Sequence, residues 1–250
     1  MPVAAHAAVV DLATSADGNT PDNTSGTIGG VLFQWTDEQP TGTGVIHSFV
    51  QLQSQGNNTT EQGYNTTVNG VFDNGSSDVF NHALLLTDIP IVNIGGVDYR
   101  QFLLDINEPS NRTSPLLSLN DVQILQSGVA NPSDTTFAGD GVFLNSTPHT
   151  FVYRLDDGTD NTVELNAALN SGSGSGDMFM YVPDSLFAPD QTYVYLYSAF
   201  GNPNGATGGF EEWAVLSGQD HNVVPEPASL SLLGLGLVGM AVRTMRKRTA

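Results

Sequence analysis

The stretch Ile89–Ile106, IPIVNIGGVDYRQFLLDI, decides the fold. Two β-rich runs, Ile89–Ile94 and Val97–Ile106, flank Gly95-Gly96. A glycine pair supplies the positive φ angles that a tight two-residue turn demands, so the stretch predicts an antiparallel hairpin. Working outward, the same texture repeats. Strand-like runs fall at Val31–Trp35, Val45–Gln53, Phe80–Thr87, Val122–Leu125, Thr150–Leu155, Thr162–Asn166, Met178–Val182, Tyr193–Ser198 and Glu211–Leu216. Val45–Gln53 places Ile46, Val50 and Leu52 on one face, with Ser48 among them. Asp156-Asp157-Gly158 predicts a further turn, joining the Thr150 and Thr162 runs.

No segment before residue 224 keeps a 3.6-residue apolar period over three turns. Short strands separated by Gly, Asn, Asp and Pro predict an all-β fold, an antiparallel β-sandwich, with a jelly roll as one way of connecting it. Residues 27–222 form this domain, and residues 1–26 read as a polar N-terminal arm with room for a short strand at Ala8–Leu12. SGSGSG (Ser171–Gly176) reads as a loop within the sandwich, because residues 177–223 alone make a thin domain. Ser54–Thr67 reads as a polar loop.

The chain has 26 acidic and 7 basic residues among its 250. Before Val224 there are 25 acids against Arg100, Arg112 and Arg154, a balance of −22. Such a surface repels phosphate backbones and excludes nucleic acid as a partner. It suits a soluble extracellular protein, divalent cations or a saline habitat. Cysteine is absent, which removes disulfides, thiolate metal sites and a Cys nucleophile.

Residues 223–250 have a different character. Pro225-Glu226-Pro227 is a rigid break, since each proline fixes φ and lacks an N–H. Ala228–Val242 then runs uncharged for fifteen residues. Arg243, Arg246, Lys247 and Arg248 close the segment as a basic cluster. Fifteen helical residues rise about 22 Å, short of a ~30 Å hydrocarbon core, but snorkelling Arg243 extends the span. Arginines after an apolar run hold it on the cytoplasmic side and leave the preceding domain outside. The expectation is a single membrane helix over 228–242.

Break, apolar run and basic end, in that order, resemble the PEP-CTERM sorting signal of Gram-negative bacteria, which exosortases read near the Pro-Glu-Pro. Segments of the body, among them Gln39–Gln53, Glu61–Thr66, Tyr99–Glu108, Ser173–Phe187 and Tyr193–Val215, are similar to other PEP-CTERM cargo. The resemblance implies passage through the inner membrane, contact with an exosortase, and a final place at the cell surface or in extracellular exopolysaccharide matrix. It brings no catalytic residues. Cargo also needs a secretory signal, and Ala5-His6-Ala7 before Ala8 has the small-x-small form of a cleavage site; a signal peptide upstream of residue 1 is expected.

Candidate chemistry is sparse. Asp156, Asp157 and Asp160 offer oxygens that suit Ca²⁺, against the alternative of a solvated hairpin turn. Asp105, Asn107 and Glu108 form a second acidic group at a strand end. Glu211 and Glu212 are neighbours, so they point to opposite faces and cannot pair across one sugar. One of them is expected to pack inward near Arg100 or Arg154, or to cap a turn. Tyr193, Tyr195 and Tyr197 share one face of a strand, either as a sugar-binding platform or as packing. His6, His47, His82, His149 and His221 are scattered, and no GxSxG is present, so neither a histidine metal centre nor a serine hydrolase is supported. The expected role is non-enzymatic, as a structural protein of surface or matrix without a cofactor other than calcium. A carbohydrate-binding module is the alternative, and a polysaccharide-active enzyme a third reading.

Overall fold

The computed structural model describes residues 6–36, 46–54, 56, 58–108, 115–170, 176–206 and 209–216, all within the compact unit Met1–Gln219. The segment 223–250, with its expected helix, lies outside the described residues, as do Ser171–Ser175.

Fourteen strands are described: β1 Val9–Asp11, β2 Ser25–Ile28, β3 Val31–Trp35, β4 Ile46–Leu52, β5 Glu61–Tyr64, β6 Leu84–Leu85, β7 Ile91–Ile94, β8 Val97–Ile106, β9 Leu116–Ser127, β10 Thr150–Arg154, β11 Thr162–Asn166, β12 Met178–Pro183, β13 Tyr193–Gly201 and β14 Glu211–Leu216. They form two sheets. The first runs β1-β11-β9-β13-β5, with β10 also on β9 and β6 on β13. The second runs β2-β3-β12-β8-β14-β4, with β7 on β8. All pairings are antiparallel except β1 with β11.

The hairpin at Gly95-Gly96 forms as expected. Both glycines have positive φ, at 61° and 88°, and Ile94 faces Val97 across the turn. The same device recurs at Gly29-Gly30, joining β2 to β3. The sandwich therefore begins earlier than residue 27. β1 forms where the short strand at Ala8–Leu12 was expected, β2 straddles the end of the arm at residue 26, and Val10 and Leu12 are buried in the core.

The core lies between the sheets. Leu117, Leu119, Val122 and Ile124 of β9 and Val194, Leu196 and Phe200 of β13 meet Phe102, Leu104 and Ile106 of β8, Met178, Met180 and Val182 of β12, and Trp213 and Val215 of β14. Trp213 Nε1 donates to Ser198 Oγ at 3.0 Å and ties the two layers through a satisfied polar contact.

Four local readings change. Glu61–Tyr64 is a strand inside the supposed Ser54–Thr67 loop, pairing with Tyr197–Phe200. Of Phe80–Thr87 only Leu84–Leu85 joins a sheet, followed by a 3₁₀ turn at Leu86–Asp88. In β4 a register shift opposite Trp213 and Ala214 puts Phe49 into the core beside Val50 and Leu52. Finally, β10 and β11 are not a hairpin. Both run antiparallel to β9 along one edge, β10 on Gln123–Gln126 and β11 on Leu116–Leu119. The residues 156–161 are an excursion from one interrupted edge strand.

Candidate functional site

The tyrosines do share a face, as strand alternation requires, but they are not displayed. Segments 64–72 and 131–147 fold over the outer surface of the first sheet and cover them. Tyr195 is 0 % and Tyr197 3 % exposed, and Tyr193 is half-buried. They pack with Tyr64, Val71, Leu125, Val142, Phe143 and Leu144. The Phe143 ring stacks on Tyr197 at 5.4 Å, and Phe137 meets Tyr197 edge-on at 5.4 Å. The Tyr195 hydroxyl donates to Val129 O at 2.7 Å and accepts from Asn131 N at 3.0 Å. The Tyr64 hydroxyl lies 3.0 Å from both Pro132 O and Asp134 O. Asn65 extends the β5 ladder with its side chain, donating to Val194 O and accepting from Leu196 N. Burial pushes the phenols of Tyr64, Tyr195 and Tyr197 well above their ordinary range. A sugar platform needs open ring faces, so the stripe is packing.

The acidic turn is likewise occupied by its own chain. Asp156 Oδ1 accepts from Asn161 N at 2.7 Å, and Asn161 Nδ2 donates back to Leu155 O at 2.7 Å. Asn161 Oδ1 receives Ala8 N at 2.8 Å, anchoring the entry to β1. Burial raises the Asp156 carboxyl to about 6 against the Asn161 bond, with Asp121 and Asp160 adding repulsion and Arg154 opposing them. Asp157 and Asp160 are exposed. Among the described residues no three His, Cys, Asp or Glu side chains converge as a metal site, and Asp156 is engaged by the Asn161 amide.

The unusual chemistry is elsewhere, at one end of the sandwich. Glu211 opens β14 between Leu52 of β4 and Ile106 of β8. Alternation along β14 puts Glu211 on the same side as Trp213 and Val215, facing the interior. Glu61 opens β5 opposite Phe200 and also faces inward, on the side away from Tyr64. Glu211 is 0 % and Glu61 1 % exposed, and none of their four carboxyl oxygens has a hydrogen-bond partner of normal geometry. Glu108, Asp105 and Asp177 are buried nearby. Asp177 Oδ2 accepts from Ile106 N at 2.8 Å, while its other oxygen is unpartnered.

Both inward carboxyls are pushed up. For Glu211 the cause is burial first, then Glu61 facing it, then the charges of Glu108 and Asp105. For Glu61 burial again leads. The facing Glu211 carboxyl and the Ser54 amide favour the charged form, and Glu108 and Asp73 oppose it. Two adjacent buried carboxylates cannot both stay charged without a proton or a cation between them. Burial likewise lifts Asp177 well above its ordinary value, against the bond from Ile106, with Asp105 adding repulsion.

No described arginine relieves this cluster. Arg100 instead donates to Asp184 at 2.6 Å and to Leu86 O and Ile89 O at 2.7 and 3.0 Å, while Arg154 donates to Asp140 O at 3.0 Å. The inward glutamate thus meets another carboxyl where an arginine was expected. Glu212 points outward and accepts from Ser48 Oγ at 3.2 Å and from Gln51 Nε2. Sequence reasoning singled out Glu211 and Glu108 but missed Glu61. The signal available for it was an acid in a strand too short and polar to be recognised.

Residues 223–247 match the family model of the PEP-CTERM protein-sorting motif. The chain carries a PEP-CTERM sorting motif. The match spans Pro225-Glu226-Pro227, the apolar run and Arg243, Arg246 and Lys247, with Arg248 one residue beyond it. A PEP-CTERM motif directs export through a membrane-associated sorting step, processing by an exosortase and placement at the surface or outside. No helix among the described residues is long and apolar enough to cross a membrane. No curated protein and no solved structure matches the chain, so the likeness of body segments to other PEP-CTERM cargo rests on the sequence.

Proposed function

We propose that this is a non-enzymatic structural protein of the cell surface or exopolysaccharide matrix of a Gram-negative bacterium. The PEP-CTERM motif at 223–247 is the observation that carries the reading. A helix over 228–242 holds the chain in the inner membrane in transit, Arg243, Arg246, Lys247 and Arg248 stop it there, and an exosortase acts near Pro225-Glu226-Pro227. Two features of the domain support a structural rather than catalytic role. Its aromatic stripe is packed under a cover, and Glu61 and Glu211, though drawn together from different sheets, are at most 1 % exposed. For the carbohydrate-binding alternative, one cleft of about 650 Å³ is lined by Glu61, Gln62, Asn120, Asp160 and Asn202, and its one aromatic, Phe200, is 2 % exposed.

The test is terminal-peptide and intact-mass analysis of the protein from its own cells, with membrane and secreted fractions kept separate. The expected result is an extracellular form ending near Pro225–Pro227, lost when the exosortase gene is deleted. A chain ending at Ala250 and confined to the membrane fraction overturns the reading.

A further inference from the structure

We infer that Glu61 and Glu211 form a buried calcium site that clamps the two sheets together at one end of the sandwich. None of the four carboxyl oxygens has a hydrogen-bond partner of normal geometry, the Ser54 amide and the facing Glu211 carboxyl being the polar groups beside Glu61, and the side chains are 1 % and 0 % exposed. A fifth buried oxygen without a partner, Ser54 Oγ, sits at the exit of β4, near the Glu61 carboxyl. Folded proteins rarely leave buried polar atoms unmatched, and a group of them in one place marks a missing partner. A proton shared by the pair leaves the remaining oxygens unmatched, whereas a cation answers all of them at once, and Glu108 and Asp105 add negative charge that favours it.

The donor set selects the ion. It holds oxygens alone: the chain has no cysteine, and no histidine joins these acids in a metal-binding group among the described residues. Zinc, which takes Cys and His, is therefore disfavoured. Calcium accepts six to eight oxygens in loose geometry, completing carboxylates with hydroxyl, carbonyl and water oxygens, so two glutamates suffice where no third acid converges. Magnesium demands near-ideal octahedral geometry and dehydrates reluctantly, which makes it the comparison ion. Glu61 belongs to the edge of the first sheet and Glu211 to the interior of the second, so one ion bridges both layers. Ion binding that requires the folded end stabilises the whole domain by mass action.

The test uses the full chain, stripped with a chelator and titrated with CaCl₂ by calorimetry and thermal unfolding, with MgCl₂ as the comparison. The expected result is one calcium per chain and a Tm rise of about 5–10 °C at a hundredfold excess over Kd. Glu61→Gln and Glu211→Gln, each checked for folding by near-ultraviolet circular dichroism, should weaken calcium at least tenfold, and Asp156→Asn should leave it unchanged. No binding to the wild-type chain overturns the inference. So does binding that survives both glutamine variants or is lost with Asp156→Asn.

Discussion

Two regions of this sandwich bury polar groups, and they treat them in opposite ways. On the outer face of the first sheet, Tyr64, Asn65, Tyr195 and Tyr197 go under a cover of loops with their polar atoms matched. At the sheet end, Glu61 and Glu211 go into the interior with four oxygens unmatched. A buried phenol that finds carbonyls contributes packing area and a hydrogen bond, and it rigidifies the layer it joins. A buried carboxylate without a donor costs stability and is kept only if something else binds there or a proton is held. The tyrosines, which looked like a ligand face, are structure; the glutamates, which looked like an inward turn toward an arginine, are the chemical feature.

The largest way to break this contrast is Tyr195→Ala. If the cover is a packed layer, the variant loses about 3–5 kcal/mol in urea unfolding, because a cavity opens and Val129 O and Asn131 N lose their shared partner. A loss under about 1 kcal/mol would mean that the loops merely rest on the sheet.

Next is Glu211→Leu in chelator. Replacing an unpaired buried acid by an apolar residue of similar volume should stabilise the metal-free domain by about 1–4 kcal/mol. The pH dependence has a definite sign. Glu61 and Glu211 are raised in the folded chain above the unfolded value near 4.3. Between those values the folded state holds more protons, so metal-free stability rises as pH falls through the raised folded values and levels off below about 4.3. Asp134 works against this at lower pH. Burial raises it, but bonds from Ser146 and Thr147 outweigh burial and hold it low, so its contribution disappears as pH falls through that depressed value. Denaturation midpoints at successive pH values should show a shallower acid-side gain in Glu211→Leu than in wild type. An equal gain would place the titrating groups elsewhere, at Asp177, Asp121 or Asp156.

The smallest effect belongs to the neighbour. Glu212 faces outward and its bonds from Ser48 and Gln51 are half-exposed, so Glu212→Ala should cost about 1 kcal/mol or less, with no change in calcium response. A calcium defect there equal to that of Glu211→Gln would sink the distinction between the two faces of β14.

The amino-acid sequence by itself determined the strand-rich class, the Gly95-Gly96 hairpin, the opposed faces of Glu211 and Glu212, and the sorting motif. Each is set by residues within a few positions of one another: positive φ at glycine, alternation along a strand, and a contiguous break, apolar run and basic end. Tertiary structure alone decided the rest. Glu61–Tyr64 becomes a strand because β13 offers it an edge, and β10 and β11 become one interrupted strand because β9 is long enough to pair with both. Residues 131–147 bury a tyrosine face that alternation could only align. Glu61 and Glu211, 150 positions apart in the chain, meet because their strands belong to sheets that pack face to face. Alternation names the side of a strand on which a group lies, and only the packing of sheets and loops determines whether that side holds water, a ring or another charge.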